Sequence, residues 1–97
     1  EVDVGIGGGV AEIVGSLLRQ LGGQRQILCV THLPQVAAQA HNHLRVEKES
    51  GDAGSWTSIT PLDEEKRVVE IARMLGGVEL TQTTLDHARE MILKTAS

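Results

Sequence analysis

The residues able to do chemistry lie in the first half of the chain. Gly5, Gly7, Gly8 and Gly9 form a glycine run directly ahead of a helical pattern, an arrangement whose amides can face an anion. Two nucleotide fingerprints fail on spacing. A phosphate loop needs a lysine where Val10 and Ala11 follow the run, and the dinucleotide pattern counted from Gly5 lands on Val10 instead of Gly or Ala. A flexible entry turn is the plainer reading of the glycines. His32 follows the apolar run Ile27–Val30, at the carboxyl edge of an expected strand, where open α/β sheets place ligands. A neutral imidazole there can donate one hydrogen bond to a phosphate or a water, or simply cap its loop. Thr31 beside it reads as a hydroxyl that satisfies backbone. His41 and His43 stand two apart, but nothing nearby completes a tetrahedral ligand set, so no metal site is expected. Cys29, inside the apolar run, reads as buried filler and not as a nucleophile.

The elements that must hold these residues follow from periodicity. Val10, Ile13, Val14, Leu17, Leu18 and Leu21 recur at helical spacing and predict one helix with an apolar stripe to be buried. Gly22-Gly23 then offers a left-handed cap. Ile27–Val30 has the look of a strand covered on both faces, which predicts an α/β layer. Pro34 is placed to open a short helix through Ala40. Leu44–Lys48 and Trp56–Thr60 alternate around Gly51-Asp52-Ala53-Gly54, the pattern of a β-hairpin able to cover one flank of that strand. Asp63 caps the next helix, whose first turn carries Glu64 and Glu65 and whose stripe is Val68, Val69, Ile71, Ala72 and Leu75. Gly76-Gly77 stops it, and a last helix from about Thr83 to Lys94 carries Leu85, Ala88 and Ile92. The Asp63–Arg67 charge run reads as a solvated helix start.

Ninety-seven residues make one modest domain, with an ordinary 40% hydrophobic and 23% charged composition that argues against disorder. No apolar run is long enough to span a membrane. A net charge of −4, one Trp and no Phe or Tyr are a poor match for a stand-alone nucleic-acid binder. One cysteine fits a reducing cytoplasm. The chain opens at Glu1, not Met, just before the glycine run, and reads as part of a longer chain.

Three stretches together carry a resemblance: Glu1-Val2-Asp3-Val4-Gly5-Ile6-Gly7-Gly8, then Leu28-Cys29-Val30-Thr31-His32-Leu33-Pro34-Gln35-Val36-Ala37, then Arg73-Met74-Leu75-Gly76-Gly77. The chain resembles the RecN family of bacterial DNA repair proteins, itself similar to the structural-maintenance-of-chromosomes proteins, whose heads are ABC-type ATPases. The resemblance implies the C-terminal lobe of such a P-loop ATPase head, a single α/β domain over residues 1–97 with a β-hairpin and C-terminal helices. Glu1 matches the carboxylate that polarises the attacking water, after an Mg²⁺-holding Asp that would precede it. Asp3, Val4, Gly5, Gly7 and Gly8 match the loop that meets a second head across bound ATP. Other members carry a second acidic residue where this chain has Gly7 or Gly8, so a side-chain contact from that position is not implied. His32 matches the switch histidine at the γ-phosphate, a group of donors suited to phosphoryl transfer.

The implied partners are the rest of the same head, a second head in an ATP-dependent dimer, and DNA through the full-length protein, with ATP and Mg²⁺ bound in the intact molecule and no membrane. The implied setting is the bacterial cytoplasm at the nucleoid, in double-strand-break repair and recombination. The phosphate-loop lysine and the signature motif are absent from these residues, so the 97 residues alone are expected neither to bind ATP tightly nor to hydrolyse it. A head lobe of another chromosome-maintenance ATPase and a non-enzymatic interaction module that kept the fold are the alternatives.

Overall fold

Four consecutive carbonyls, those of Ala37, Ala38, Gln39 and Ala40, organise the packing of the chain. They close a helix of four residues. In the computed structural model, which describes residues 7–76 and 79–96, the elements run α1 (Gly8–Gly22), α2 (Pro34–Ala37), β1 (Leu44–Gly51), β2 (Gly54–Pro61), α3 (Glu64–Met74) and α4 (Gln82–Ala96). Arg67 on α3 donates from Nη2 to the carbonyls of Ala37, Ala38 and Ala40 at 3.3, 2.9 and 2.7 Å. Arg19 on α1 donates to the Gln39 carbonyl at 2.8 Å, and the Thr95 hydroxyl on α4 donates to that of Ala38 at 3.2 Å. Side chains from three helices thus satisfy acceptors that a four-residue helix leaves over. Arg67 is half-buried in this role, so the expectation of a fully solvated charge run is corrected there.

The core lies where α2, α3 and α4 meet: Ala37, Ala38, Val68, Ile71, Ala72 and Ala88, with Leu75, Leu85, Met91 and Ile92 packed around them. It is built mainly of alanines, which let the backbones approach closely. Asp63 caps α3 as its sequence predicts, accepting from the Lys66 N–H at 2.8 Å. The α3 stripe is buried at Val68, Ile71 and Ala72, whereas Val69 is exposed. Gly76 takes φ +96° immediately after the helix, a conformation glycine adopts without strain, and Gly77 lies outside the described residues. Thr81 opens α4, its hydroxyl accepting from the Thr84 N–H at 3.1 Å.

The hairpin forms as expected and is longer than expected. β1 and β2 pair antiparallel with Val46 opposite Ile59 and Glu49 opposite Trp56, and Gly54 turns the chain at φ +112°. The Trp56 indole donates to Glu49 at 2.8 Å. One face docks on α3 through Arg45, 3.4 Å from the buried Glu70 carboxylate, which also takes two bonds from Arg73 Nε at 3.1 and 3.2 Å and a contact from Arg73 Nη2.

Three expectations are corrected. Ile27–Val30 is not a strand: no described residue pairs with it, and Leu28 stands 85% exposed. A strand exists only through its ladder, and the sheet consists of β1 and β2 alone among the described residues. Cys29 is accordingly half-buried outside any strand. Among the described residues the fold mixes helix and strand, with the β-hairpin and the C-terminal helices that the sequence predicts. The α1 stripe is not buried either. Val10, Ile13, Leu17 and Leu21 are all at least 50% exposed, because α1 meets α2 through Ala11 and Gly15 on another face. Finally, Gly23 ends α1 at φ −72°, right-handed, with its N–H on the Gln20 carbonyl at 3.3 Å, so no left-handed cap forms.

Two predictions follow from the packing. His43, next to the carbonyl turn, is held below its usual pKa by burial first and by the Arg67 charge second, with Glu70 opposing. Burial alone would raise the Glu70 carboxyl, but the Arg73 hydrogen bonds and the Arg73 and Arg45 charges outweigh it and hold it low. Both groups bind protons more readily in the unfolded chain. The His43 contribution to stability is complete above about pH 6.5 and is lost as pH falls from there towards the depressed folded value, while the Glu70 contribution is lost below about pH 4.3. The melting temperature therefore falls between pH 7.5 and 5.5, and His43→Gln removes that slope; an unchanged slope assigns it elsewhere. The uncovered α1 stripe makes the 97-residue chain self-associate. Light scattering over a concentration series reads this, and Ile13→Gln with Leu17→Gln restores the monomer; a monomeric parent chain contradicts it.

Candidate functional site

The site residues expected from the sequence divide into two groups. Glu1, Asp3, Val4 and Gly5 lie outside the described residues. Gly7, Gly8, Thr31 and His32 are described, and the packing of α1 on α2 determines where they stand.

That packing depends on missing side chains. A Cβ built on Gly15 would lie 3.0 Å from the Gln39 amide nitrogen, 3.1 Å from the Gln35 carbonyl and 3.2 Å from the Val36 Cα. Gln39, buried, donates across the same contact to the Glu12 carbonyl at 2.8 Å. Gly8 approaches the Gln35 side chain at the start of the pair, and Gly22 approaches the His41 ring at its end. The segment from Gln35 to His41 therefore runs alongside α1 in the same direction. α2 begins opposite Gly15, midway along α1, and the Gln35 side chain reaches back to Gly8.

Gly7 caps α1 with extended backbone and no side-chain hydrogen bond, and its carbonyl accepts from the Ala11 N–H at 2.9 Å. Gly7, Gly8 and Gly9 are all exposed, and α1 has no acidic residue in its first turn. The leading amides of α1 thus form a positive helix terminus without a carboxylate of its own. Thr31 performs the backbone role its type suggests, its hydroxyl accepting from the Leu33 N–H at 3.0 Å. That turn delivers the chain into Pro34 at the first helical position and leaves His32 exposed at its apex. The contact between the two stretches is the Gln35 side chain, three residues after His32, which reaches Gly8.

Sequence reasoning missed Gln35 and Gln39. Gln39 is the polar bridge between the two helices, and the Gln35 side-chain oxygen is buried without a hydrogen-bond partner among the described residues. Their spacing of four puts both on one helical face, a signal that was available. Among the described residues no three His, Cys, Asp or Glu side chains converge.

Gly15→Ala is the direct test of the helix contact. It improves helix propensity, yet it should destabilise the chain by about 1–3 kcal/mol, because two of the three atoms it meets are backbone and cannot rotate away. Chemical denaturation measures this; a neutral or stabilising Gly15→Ala shows that the two segments separate at little cost.

No family model matches the chain. Curated relatives do. It is 50% identical over 93 residues, 96% of its length, to a protein of Vibrio cholerae named DNA repair protein RecN. It is 57% identical over 82 residues, 84% of its length, to the protein of that name in Xylella fastidiosa, and 44% identical over 92 residues, 95% of its length, to the one in Bacillus subtilis. The chain spans 17%, 15% and 16% of these relatives' own lengths, and the matched stretch is their C-terminal part. Along nearly its whole length, the chain carries the sequence of the RecN family of DNA repair proteins.

Proposed function

We propose that this chain is part of the ATP-binding and hydrolysing head of a RecN-like protein acting in DNA double-strand-break repair and recombination. The observation that carries the reading is the approach of the Gln35 side chain, three residues after His32, to Gly8 at the glycine-led start of α1. In this role the α1 amides and the His32 imidazole present hydrogen-bond donors towards phosphate oxygens. Donors fixed by turns and helix ends need little reorganisation as charge develops on a transferring phosphoryl group. Thr31 positions His32 by holding the turn. Glu1 would polarise the attacking water, and Asp3 to Gly8 would meet the second head. Bound ATP would join two heads and its hydrolysis release them.

The described residues supply no carboxylate set for Mg²⁺ and no phosphate-loop lysine, so no step is assigned to the metal. Those parts belong to the rest of the head. The uncovered stripe of α1 and the exposed Leu28 and Val30 support that partner, since together they offer apolar surface to a larger core. DNA contact is assigned to the assembled protein, in keeping with the −4 charge of this part.

In the longer protein, His32→Ala should lower kcat for ATP hydrolysis by about 100-fold with little change in KM, the signature of a contact made mainly in the transition state. Glu1→Gln should leave ATP bound and the heads paired while hydrolysis stops. Steady-state hydrolysis with a nucleotide-binding assay separates the two effects. Full turnover in both variants returns the chain to a fold-retaining interaction module. The codons preceding Glu1 give a second check, since the reading needs a phosphate-loop lysine upstream.

A further inference from the structure

α1 has three faces, and the third is not used by anything above. At 100° per residue, Glu12 and Arg19 lie opposite the apolar stripe of Val10, Ile13, Leu17 and Leu21, and Ser16 and Gln20 flank it on the Ile13 side. They line a cleft of about 510 Å³ whose other walls are His41, after α2, and Lys94 on α4. The Gly22–His41 approach puts this cleft's far wall at the C-terminal end of α1, away from the glycine-led start.

We propose that this cleft binds a phosphate group, an inference that does not depend on the ATPase reading. The Arg19 guanidinium is half-buried and anchored by its bond from Nη1 to the Gln39 carbonyl at 2.8 Å, so its position is fixed before any ligand arrives. A fixed guanidinium fork matches the oxygens of a phosphate, and an ammonium adds a point charge. Lys94 supplies that charge from across the cleft. The Ser16 hydroxyl, the Gln20 amide and the His41 ring add neutral donors on the same walls. The carbonyls of Gln20 and Leu21 at the end of α1, which would repel an anion, accept from the N–H groups of Gly23, Gln24 and Arg25.

One group opposes binding. The Glu12 carboxylate stands 3.9 Å from the Lys94 ammonium and is mostly exposed. A phosphate competes with it for Lys94, so Glu12 acts as an internal competitor whose removal strengthens the site. A simple cationic patch without a defined ligand position makes no such prediction for one particular carboxylate.

The test titrates the 97-residue chain, kept monomeric by Ile13→Gln and Leu17→Gln, separately with pyrophosphate and with a 12-base-pair DNA duplex, following amide shifts by NMR at low salt. Saturable shifts are expected along the Ser16–Gln20 turn of α1 and at Lys94 and Thr95. Lys94→Gln should weaken binding and Glu12→Gln should tighten it, each by about threefold to tenfold, the size of one partly screened charge a few ångströms away. Both side chains are exposed, so neither substitution endangers the fold. Duplex binding at least about tenfold tighter than pyrophosphate assigns the site to a nucleic-acid backbone, with affinity falling steeply as salt rises; comparable or tighter pyrophosphate binding assigns it to free phosphates. No saturable shift in this cleft, or affinities unmoved by both substitutions, overturns the proposal.

Discussion

The fold depends on one guanidinium. α2 has four residues, and it stands at the centre of the molecule with α1 on one side and α3 on another. Arg67 ties its end to α3 by spreading one nitrogen over three carbonyls of the same turn. Hydrogen bonds from a charged donor contribute about 1.5–3 kcal/mol each, and they supplement the Ala40 N–H on the Ala37 carbonyl and the Thr95 hydroxyl on that of Ala38. The cost shows in the charge itself. Burial, and then the like charge of Arg19 on the same turn, pull the Arg67 pKa down. The half-buried side chain still takes this position because no apolar residue can supply donors to a helix end.

Everything attached to that turn is held by polar contacts or by small residues, with few large apolar ones. Gly15 and Ala11 bring α1 onto α2, and Ile71 is the one large side chain wholly buried among the described residues. Such a core positions helices accurately at short range but removes little apolar surface from water. The large aliphatic residues of α1 and the Ile27–Val30 segment remain outside it. The molecule is thus polar-locked at its centre and apolar at its margin, the reverse of a self-sufficient small domain.

This reversal explains what the sequence revealed and what it concealed. Elements stabilised locally were legible: the Asp63 cap, the alternating hairpin with its glycine turn, and the apolar spacing of α4 each specify their own structure within a few residues. The α1 helix was legible too, but its pattern says only that a face needs covering, not that anything in this chain covers it. Ile27–Val30 has strand composition and no ladder, and a ladder is not a property of one segment. Arg67 was hidden inside an acidic-then-basic run that reads as solvated surface. The signal against that reading was its spacing, four residues before Ile71 and so on the buried side of α3. Of the candidate site, the glycine start and the His32 turn could be located from sequence, whereas the alignment of α1 on α2 required the contact at Gly15, which nothing in a glycine's neighbours along the chain announces.

The three faces of α1 also separate tasks that would conflict on one surface. Its small face fixes direction, setting Gly15 against the backbone of α2 and Gly8 against the Gln35 side chain. Its aliphatic face stays available to a larger apolar body, and its polar face closes a cleft against α4. Because Gly15 permits backbone-to-backbone approach, a shift of α1 along α2 would break the Gln39 bridge and the Arg19 anchor together. Both of those bonds end on backbone carbonyls, so they register the position of the helix rather than the identity of a neighbouring side chain.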